Sequence, residues 1–243
     1  MKLTVLGKYG PWPKAGCACS GYLLEAGAAR LLLDCGCGVL SRLQQVCPIE
    51  GLSGMVLSHL HSDHMGDALV LRYAMPYYLS AGLMKARLPV FLPATPESLA
   101  EGIIQDGGYE AKTVRGGDSV EFMGLSLTFF RVRHPIECNA VKVAYEGKTV
   151  VYSGDMNTTP GFEAFAENSD LLLIDGCFME KDWNESKPHF SAFLAAGIGK
   201  RAGVKRLLVT HVFPANDEGA LLAEAKSAFP AVEVAQEGRA YEI

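Results

Sequence analysis

The most informative segment of the chain is Met55-Val56-Leu57-Ser58-His59-Leu60-His61-Ser62-Asp63-His64, in which three imidazoles and one carboxylate follow directly on a short apolar run. Neutral imidazole nitrogens and carboxylate oxygens suit Zn²⁺, Mn²⁺ and Fe, and catalytic zinc sites keep one coordination position open for water. A solvated polar loop is the alternative interpretation. In a chain with only six histidines, however, this density of ligands indicates a metal site.

The other histidines stand singly, as His134-Pro135, Pro188-His189 and Thr210-His211-Val212, each near an apolar strand or a helix start. A lone histidine is more often a packed or surface residue than a ligand. Together with the cluster at His59 to His64, these three strengthen the case for a metal site.

Length and composition favour one large core. The chain has 243 residues, of which 49% are hydrophobic, and it contains no linker-like or low-complexity segment, so we predict a single domain over 1–243. Its first residues are too soon interrupted by glycine and proline to form a signal peptide, and no apolar run approaches the roughly 18 residues that span a bilayer. We expect a cytoplasmic protein without membrane contact.

Apolar periodicity predicts strands alternating with helices. The predicted strands are 2–6, 20–25, 29–33, 55–58, 89–92, 119–132 with a turn at Gly124, 140–145, 148–152, 170–175, 206–210, and weakly 232–235 and 240–243. The predicted helices are 38–46, 66–80, 96–104, 161–167, 190–202 and 217–228. Short turns predict hairpins in both halves, and the order as a whole fits mixed sheets with helices outside.

The seven cysteines indicate free thiols in a reducing compartment. Cys17 with Cys19 and Cys35 with Cys37 could assemble a second, structural zinc site, but the usual spacing is Cys-x2-Cys, and buried cysteines beside glycine are common. A net charge of −5 gives no indication of a polyanionic partner. Local basic residues such as Lys187 are either solvated or bind phosphate.

The histidines and acids together resemble the metallo-β-lactamase fold superfamily across essentially the whole chain. The likeness rests on seven ligand positions in the right order, each at the end of a strand-like segment: His59, His61, Asp63, His64, His134, Asp155 and His211. It implies an α+β fold, an αββα sandwich of two mixed β-sheets flanked by helices, with a dinuclear site at one edge of the sheets.

The resemblance also implies how two divalent ions are bound. His59, His61 and His134 would bind the first ion, Asp63, His64 and His211 the second, and Asp155 would bridge them. Zn²⁺ is favoured because imidazole dominates, although Mn²⁺ and Fe suit the same donors. Two ions roughly 3.5–4 Å apart can share a hydroxide that attacks the substrate. Asp34, after the predicted strand 29–33, is expected to brace a metal-bound histidine.

Asp63 and His189 are the predicted catalytic residues. The position of His189, 22 residues before His211, resembles the ribonuclease Z and phosphodiesterase branch, in which a histidine here lies over the metals and acts on the scissile phosphate. It would protonate the leaving alkoxide or stabilise the phosphoryl charge. The chain departs from that branch at Phe190, where ribonuclease Z usually has Ser or Thr. A surface histidine at a helix start is the alternative interpretation.

These features predict a dinuclear metal-dependent hydrolase of small or cyclic phosphodiesters. Ribonuclease Z proteins generally have a long basic arm that grips tRNA, often between the positions of His134 and Asp155, and the 20 residues found there suffice only for a hairpin. RNA and tRNA 3′ processing remain an alternative, as does a thioester or lactone hydrolase of the glyoxalase II type. A metal-binding regulator without catalysis is the non-enzymatic alternative. Relatives in this branch are often dimers, so a homodimer is a further expectation.

Aromatic residues near the predicted site have two interpretations. Tyr77 and Tyr78 follow the metal-binding loop, and Trp12 and the segment 178–183 lie in predicted loops. These residues line a substrate cleft or a dimer contact, or, as is more common, pack internally.

Overall fold

Two seven-stranded sheets form the centre of the molecule in the computed structural model, which describes residues 1–104 and 108–243. The strands are β1 Lys2–Gly7, β2 Gly21–Ala26, β3 Ala29–Leu33, β4 Gly54–Val56, β5 Leu88–Leu92, β6 Tyr109–Thr113, β7 Ser119–Phe122, β8 Leu125–Val132, β9 Cys138–Tyr145, β10 Lys148–Tyr152, β11 Leu171–Asp175, β12 Leu207–Thr210, β13 Glu233–Val234 and β14 Ala240–Glu242. The helices are α1 Val39–Leu43, α2 Ser62–Met65, α3 Ala68–Leu71, α4 Ala74–Ser80, α5 Glu97–Ile104, α6 Phe162–Ala166, α7 Ala192–Arg201 and α8 Glu218–Ala228.

Both sheets are mixed. The first has the strand order β14-β1-β2-β3-β4-β5-β6, and the second has the order β13-β12-β11-β10-β9-β8-β7. In the first, β1, β2 and β3 are antiparallel and β3 to β6 are parallel. In the second, β7 to β10 are antiparallel and β10 to β13 are parallel. Each sheet therefore combines a hairpin part with a parallel part, as the sequence predicted.

Three apolar layers hold the sheets and helices together. Leu31 and Leu33 of β3 pack between the two sheets, whereas Leu32 between them packs on the helix side of the first sheet. This alternation is the two-residue period of a strand that is covered on both faces. A third layer packs α6, α7 and α8 on the outer face of the second sheet. The αββα sandwich predicted from the sequence is confirmed.

The secondary structure differs from the prediction at two places. The helix predicted over 66–80 is divided into two short helices, α3 and α4, and a further short helix that was not predicted, α2, precedes them and begins at Ser62 within the histidine cluster. Strand β6 was not predicted, because Tyr109 is its only fully buried residue and an edge strand of this kind has little apolar signal.

None of the helices found among residues 1–104 and 108–243 combines the length and apolarity needed to cross a membrane.

Candidate metal centre

The carboxyl ends of four strands bring the predicted ligands to one edge of the sandwich. The segment His59–His64 follows β4, His134 follows β8, Asp155 follows β10, and His211 follows β12 directly. Loops at strand ends are well suited to such sites, because the sheets fix the positions from which their side chains project. The structure brings all seven predicted ligands together.

The first cluster, here called the three-histidine group, consists of His59, His61 and His134 with Asp155, and its ligand atoms all lie within 4.8 Å of one another. His61 Nδ1 is 3.0 Å from His59 Nε2 and 3.0 Å from His134 Nε2. Two nitrogens bound to one zinc ion at about 2.0–2.1 Å must lie within about 4 Å of each other. His61 is therefore close enough to His59 and to His134 to share one ion with each, and the remaining pair, His59 and His134, lies within 4.8 Å.

The second cluster, here called the two-carboxylate group, consists of Asp63, His64, Asp155 and His211. Asp63 Oδ2 lies 3.1 Å from His211 Nε2 and 3.5 Å from His64 Nε2. The ligand atoms of this group also lie within 4.8 Å of one another. The two-carboxylate group has a higher negative charge than the three-histidine group, since it combines two carboxylates with two imidazoles.

Asp155 belongs to both groups. Its Oδ2 lies 3.5 Å from His59 Nε2 in the three-histidine group and 3.2 Å from His211 Nε2 in the two-carboxylate group, while its Oδ1 lies 3.1 Å from His64 Nε2. A carboxylate so placed can bind an ion in each group.

Two buried polar atoms without hydrogen-bond partners indicate that the centre is suited to binding cations. His64 Nε2 and Asp155 Oδ1 are fully buried and face each other at 3.1 Å, yet neither makes a hydrogen bond. A buried polar atom without a partner is costly, more so when it is charged. A divalent cation bound by both atoms would remove this cost, and His and Asp are donors that such cations accept.

Protonation differs between the two groups. Burial lowers the pKa of His59, of His61 and of His134, in the last case to about 4, which leaves these imidazoles in the neutral form that binds metal. Burial alone would lower the pKa of His64, but the carboxylates of Asp155, Asp63 and Asp34 outweigh it and raise that pKa well above its usual range. Metal binding in the two-carboxylate group must therefore displace a proton.

Asp34 braces His64, as the sequence predicted for a metal-bound histidine. Its Oδ2 lies 2.7 Å from His64 Nδ1 and also accepts hydrogen bonds from Ser58 Oγ at 2.8 Å and Tyr152 Oη at 2.6 Å, while Oδ1 accepts from the Ser58 amide at 2.7 Å. With Nδ1 directed at Asp34, the His64 ring presents Nε2 to the centre. Contacts of this kind orient metal-binding histidines.

His189 lies against the centre and is paired with a carboxylate that the sequence analysis missed. Its Nδ1 is 2.7 Å from Asp175 Oδ2, and its ring stacks on that of His211 with centroids 4.6 Å apart. Asp175 also accepts hydrogen bonds from the Met156 and Cys177 amides, so its oxygens are engaged as acceptors. An acid that closes the otherwise apolar strand β11 was the available signal, the same that drew attention to Asp34 after β3.

The charge of His189 follows from these neighbours. Burial alone would lower its pKa, but the Asp175 carboxylate, and next that of Asp155, outweigh the burial and raise the pKa of His189 to about 9. The side chain is thus protonated near neutral pH and can donate a proton or a hydrogen bond.

The backbone around His189 is fixed on both sides. Trp183 Nε1 donates to the His189 carbonyl at 3.0 Å, and Ser191 caps α7 by accepting from the Leu194 amide. Phe190, where the chain departs from the ribonuclease Z pattern, is 1% exposed and packs into the layer beneath α7. The extra residue therefore serves as an anchor, and His189 remains at the centre.

His211 has an unusual backbone and a close neighbour. Its φ of 53° lies in the left-handed region that is rare for a residue with a side chain, and such strain often occurs at functional sites. A Cβ on Gly10 would fall 1.9 Å from His211 Nε2, so only glycine fits at that position. The loop that begins at Gly10 thus passes directly beside the centre.

The cysteine pairs do not form a second cluster. Among the residues that the structure describes, the groups of His, Cys, Asp and Glu close enough to share an ion contain no cysteine. Cys19 and Cys35 are buried, Cys17 is partly buried and Cys37 is exposed.

The αββα fold and this cluster of histidines and aspartates place the protein in the class of metallo-hydrolases. The family model described as β-lactamase superfamily domain matches residues 29–212, and the chain belongs to that superfamily.

Comparisons with individual proteins agree with the family. The chain is 32% identical to the probable metallo-hydrolase YhfI of Bacillus subtilis strain 168, over all of both chains, and a crystal structure of YhfI matches 99% of this chain and 98% of its own with a TM-score of 0.94. A ribonuclease Z of Archaeoglobus fulgidus is 23% identical, with 100% of this chain and 97% of the relative covered. The crystal structure of a diphosphatase of the PhnP family shares the fold, with a TM-score of 0.75, 18% identity, and 100% of this chain and 97% of its own covered.

Proposed function

We propose that the protein is a dinuclear metal-dependent phosphodiesterase acting on small or cyclic phosphodiesters. The observation that supports this best is the His189–Asp175 pair beside Asp155. A hydrolase of thioesters or lactones has no evident need for a protonated imidazole over its metals, whereas a phosphodiesterase gains from one.

The two groups would each hold one ion. His59, His61 and His134 would bind the first, Asp63, His64 and His211 the second, and Asp155 both; zinc is favoured because imidazoles dominate. When bound, such a pair of ions supplies an activated water and neutralises phosphoryl charge. Asp63, predicted from the sequence as both a ligand and a catalytic residue, is proposed to serve the reaction through the ion it binds; its pKa is lowered by His64 and His211 despite its burial, so it is ionised as a ligand must be.

His189 would act on the substrate from beside the two groups. Its Nδ1 contacts Asp175, which fixes the ring and stabilises the imidazolium. The protonated ring then donates either to the leaving alkoxide or to a phosphoryl oxygen. General acids contribute roughly 10²- to 10⁴-fold to such reactions.

A small substrate is favoured over a folded RNA. The matching ribonuclease Z and the PhnP-family diphosphatase are named for reactions at phosphate bonds, which supports phosphate ester chemistry here. Between His134 and Asp155, however, the chain forms only β9, β10 and short connections, and the net charge is −5. Without a basic arm, the electrostatic affinity that RNA binding needs has no evident source. A homodimer and a cytoplasmic location stay predictions.

The test compares substrates and His189 variants under identical metal loading. Initial rates are measured for bis(p-nitrophenyl) phosphate, for 2′,3′-cyclic adenosine monophosphate, and for a thioester and a lactone, with wild type, His189→Ala and His189→Asn. The asparagine can keep the hydrogen bond to Asp175 but transfers no proton, so it separates positioning from proton donation. Metal content is measured for every sample.

The proposal predicts that phosphodiesters are preferred and that both variants lose about 100-fold or more in kcat on the cyclic nucleotide while retaining both ions. If His189 protonates the leaving group, the loss is smaller for bis(p-nitrophenyl) phosphate, because nitrophenolate leaves without a proton. Thioester or lactone turnover indifferent to His189 would overturn the proposal.

A further inference from the structure

Three aromatic side chains from three loops form a row at the edge of the metal centre. Trp12 and Phe213 meet edge to face with ring centroids 5.1 Å apart, and Phe213 and Phe178 are tilted at 6.4 Å. We call Trp12, Phe213 and Phe178 the aromatic row.

The loops that bear the row are tied to one another. The Gly10 amide donates to the Val212 carbonyl, and the Lys14 ammonium reaches the Asn216 carbonyl at 3.5 Å. Asn216 Nδ2 in turn donates to the Cys177 carbonyl at 2.8 Å. The three rings are thus presented from a connected backbone rather than from independent loop tips, which lowers the entropic cost of binding a ligand on them.

The row borders the reacting groups. Phe178 lies 6.0 Å from the His189 ring, centroid to centroid. At the other end of the row, Gly10 lies two residues before Trp12 and packs so closely on His211 that an added Cβ would fall 1.9 Å from His211 Nε2. A molecule seated on the row therefore contacts the same side of the centre as His189.

The row is more exposed than packing alone would require. Trp12 is 50% exposed and Phe213 and Phe178 are partly exposed, although these large apolar rings gain most when they are buried. An exposed aromatic side chain such as Trp12 beside a reactive centre is suited to stacking on a planar ring of a ligand.

A free cation next to the row indicates that the ligand is anionic. Lys187 Nζ lies 5.2 Å from the centroid of Phe178, and within the described part of the chain no carboxylate oxygen is within 4.0 Å of it. Lys187 also lines a cavity of about 270 Å³ with Arg133 and His134. The ligand surface thus combines aromatic faces, a free ammonium and the metal groups, which together complement a planar base joined to phosphate.

We propose that the aromatic row is a nucleobase subsite, and that the substrates of this centre are phosphodiesters of nucleosides. This inference rests on the proposed phosphodiesterase function and makes its substrate class more specific. The base stacks on the row, and its phosphate lies toward Lys187 and the metal groups.

The test measures binding and not turnover, so it is independent of hydrolysis. Calorimetric titrations of the metal-loaded protein compare adenosine 5′-monophosphate with ribose 5-phosphate, which lacks only the base, and with inorganic phosphate. In wild type, the nucleotide is expected to bind about tenfold more tightly than ribose 5-phosphate, since one stacked base is typically worth about that factor.

Trp12→Ala and Phe213→Leu are expected to reduce this preference to about twofold or less and to leave the affinity for inorganic phosphate unchanged. Tyr77→Ala is the matched control, because Tyr77 is an exposed aromatic residue of α4, 65% exposed, whose ring contacts Tyr78 and not the row. It is expected to keep the tenfold preference. Circular dichroism and thermal melts establish that each variant is folded.

Equal affinities for the nucleotide and ribose 5-phosphate in wild type would overturn the subsite, and so would a preference that survives in both row variants. Base-dependent binding without phosphodiester hydrolysis would instead refute the proposed function, and with it the substrate class, while leaving the base subsite itself in place. Hydrolysis without base-dependent binding would refute the subsite alone.

Discussion

The three-histidine group and the two-carboxylate group share Asp155 but lie in different surroundings. In the three-histidine group, His61 and His134 are partly exposed, and His134 Nδ1 contacts the Pro188 carbonyl of the loop that leads to His189. In the two-carboxylate group, His64 and His211 are 0% and 1% exposed. One group thus faces the opening and the other lies beneath it.

The supporting contacts differ in the same sense. Asp34 fixes His64 with a carboxylate that also takes hydrogen bonds from Ser58 and Tyr152, all of them buried. His59 Nδ1 instead contacts the Ser58 hydroxyl, 3.1 Å away, so that Asp34 reaches this ring indirectly, through Ser58. The buried group is therefore preorganised by the core of the sandwich, whereas the open group depends more on loop contacts such as that of His134 with Pro188.

Replacing the residue common to both groups should have the largest effect. Asp155→Ala removes a ligand from each group and leaves the buried imidazoles of His59, His64 and His211 without the carboxylate that they share, so we expect loss of both ions and a fall in phosphodiester hydrolysis of about 1,000-fold or more. Metal analysis and initial rates check this. A variant that keeps one ion would show that Asp155 belongs to one group only.

Asp34→Asn should lower the metal affinity of the two-carboxylate group more than that of the three-histidine group. The amide is a weaker partner for His64 Nδ1, and loss of such a partner typically costs about 10- to 100-fold in metal affinity. Competition with a chelator should show one weakened ion and one unchanged ion.

The control for this variant is Asp67→Asn. Asp67 is also a carboxylate near the cluster, but it accepts from the Leu40 amide and lies outside both groups. It should leave both affinities unchanged, and equal weakening of both ions in Asp34→Asn would mean that the two groups are not separable.

The same contrast explains which parts of the centre could be predicted from sequence. The segment His59–His64 lies on one loop, so its ligand density is visible locally. His134, Asp155 and His211 are single residues that follow separate strands, and only the order of the whole set, compared with a known superfamily, indicated that they meet.

Asp175 and the aromatic row could not be predicted in that way. Asp175 acts through His189, 14 residues further along the chain, and Trp12 meets Phe213 across 201 positions. The acid that ends β11 is visible in the sequence, but its contact with His189 is set by the path of the chain between β11 and α7, and the contact of Trp12 with Phe213 by how loops of the two sheets meet. The helix predicted over 66–80 forms the two short helices α3 and α4, and the apolar pattern did not indicate that the chain already turns into α2 at Ser62, within the histidine loop.

A change of pH should also distinguish the groups, with an effect of about tenfold per pH unit. Because the pKa of His64 is raised, the free protein holds a proton there near neutral pH, and binding an ion in the two-carboxylate group releases it. The affinity of that group should therefore fall as the pH falls from 8 to 6. His134 has a pKa of about 4 and is neutral throughout this range, so the three-histidine group should change little.

The measurement is metal content per chain after dialysis at fixed free zinc across that pH range. We expect the content to decline from two ions toward one, with the remaining ion lost in His134→Ala. Simultaneous loss of both ions would contradict the difference in protonation.

The smallest effect is expected from Tyr152→Phe, which removes one of the donors to Asp34 and leaves the contact with His64. A hydrogen bond to a charged acceptor contributes about 1.5–3 kcal/mol, so the unfolding free energy should fall by about that amount and the affinity of the two-carboxylate group by a few-fold. Tyr22→Phe is a close control, since Tyr22 is equally buried, packs on Tyr152 at 5.1 Å and bonds to Thr210 instead. Tyr22→Phe should lower the unfolding free energy without lowering the metal affinity of the two-carboxylate group, because the Tyr22 hydroxyl does not contact Asp34.

If both variants lower this metal affinity alike, His64 is supported by general packing of the core and not by the hydrogen bonds to Asp34.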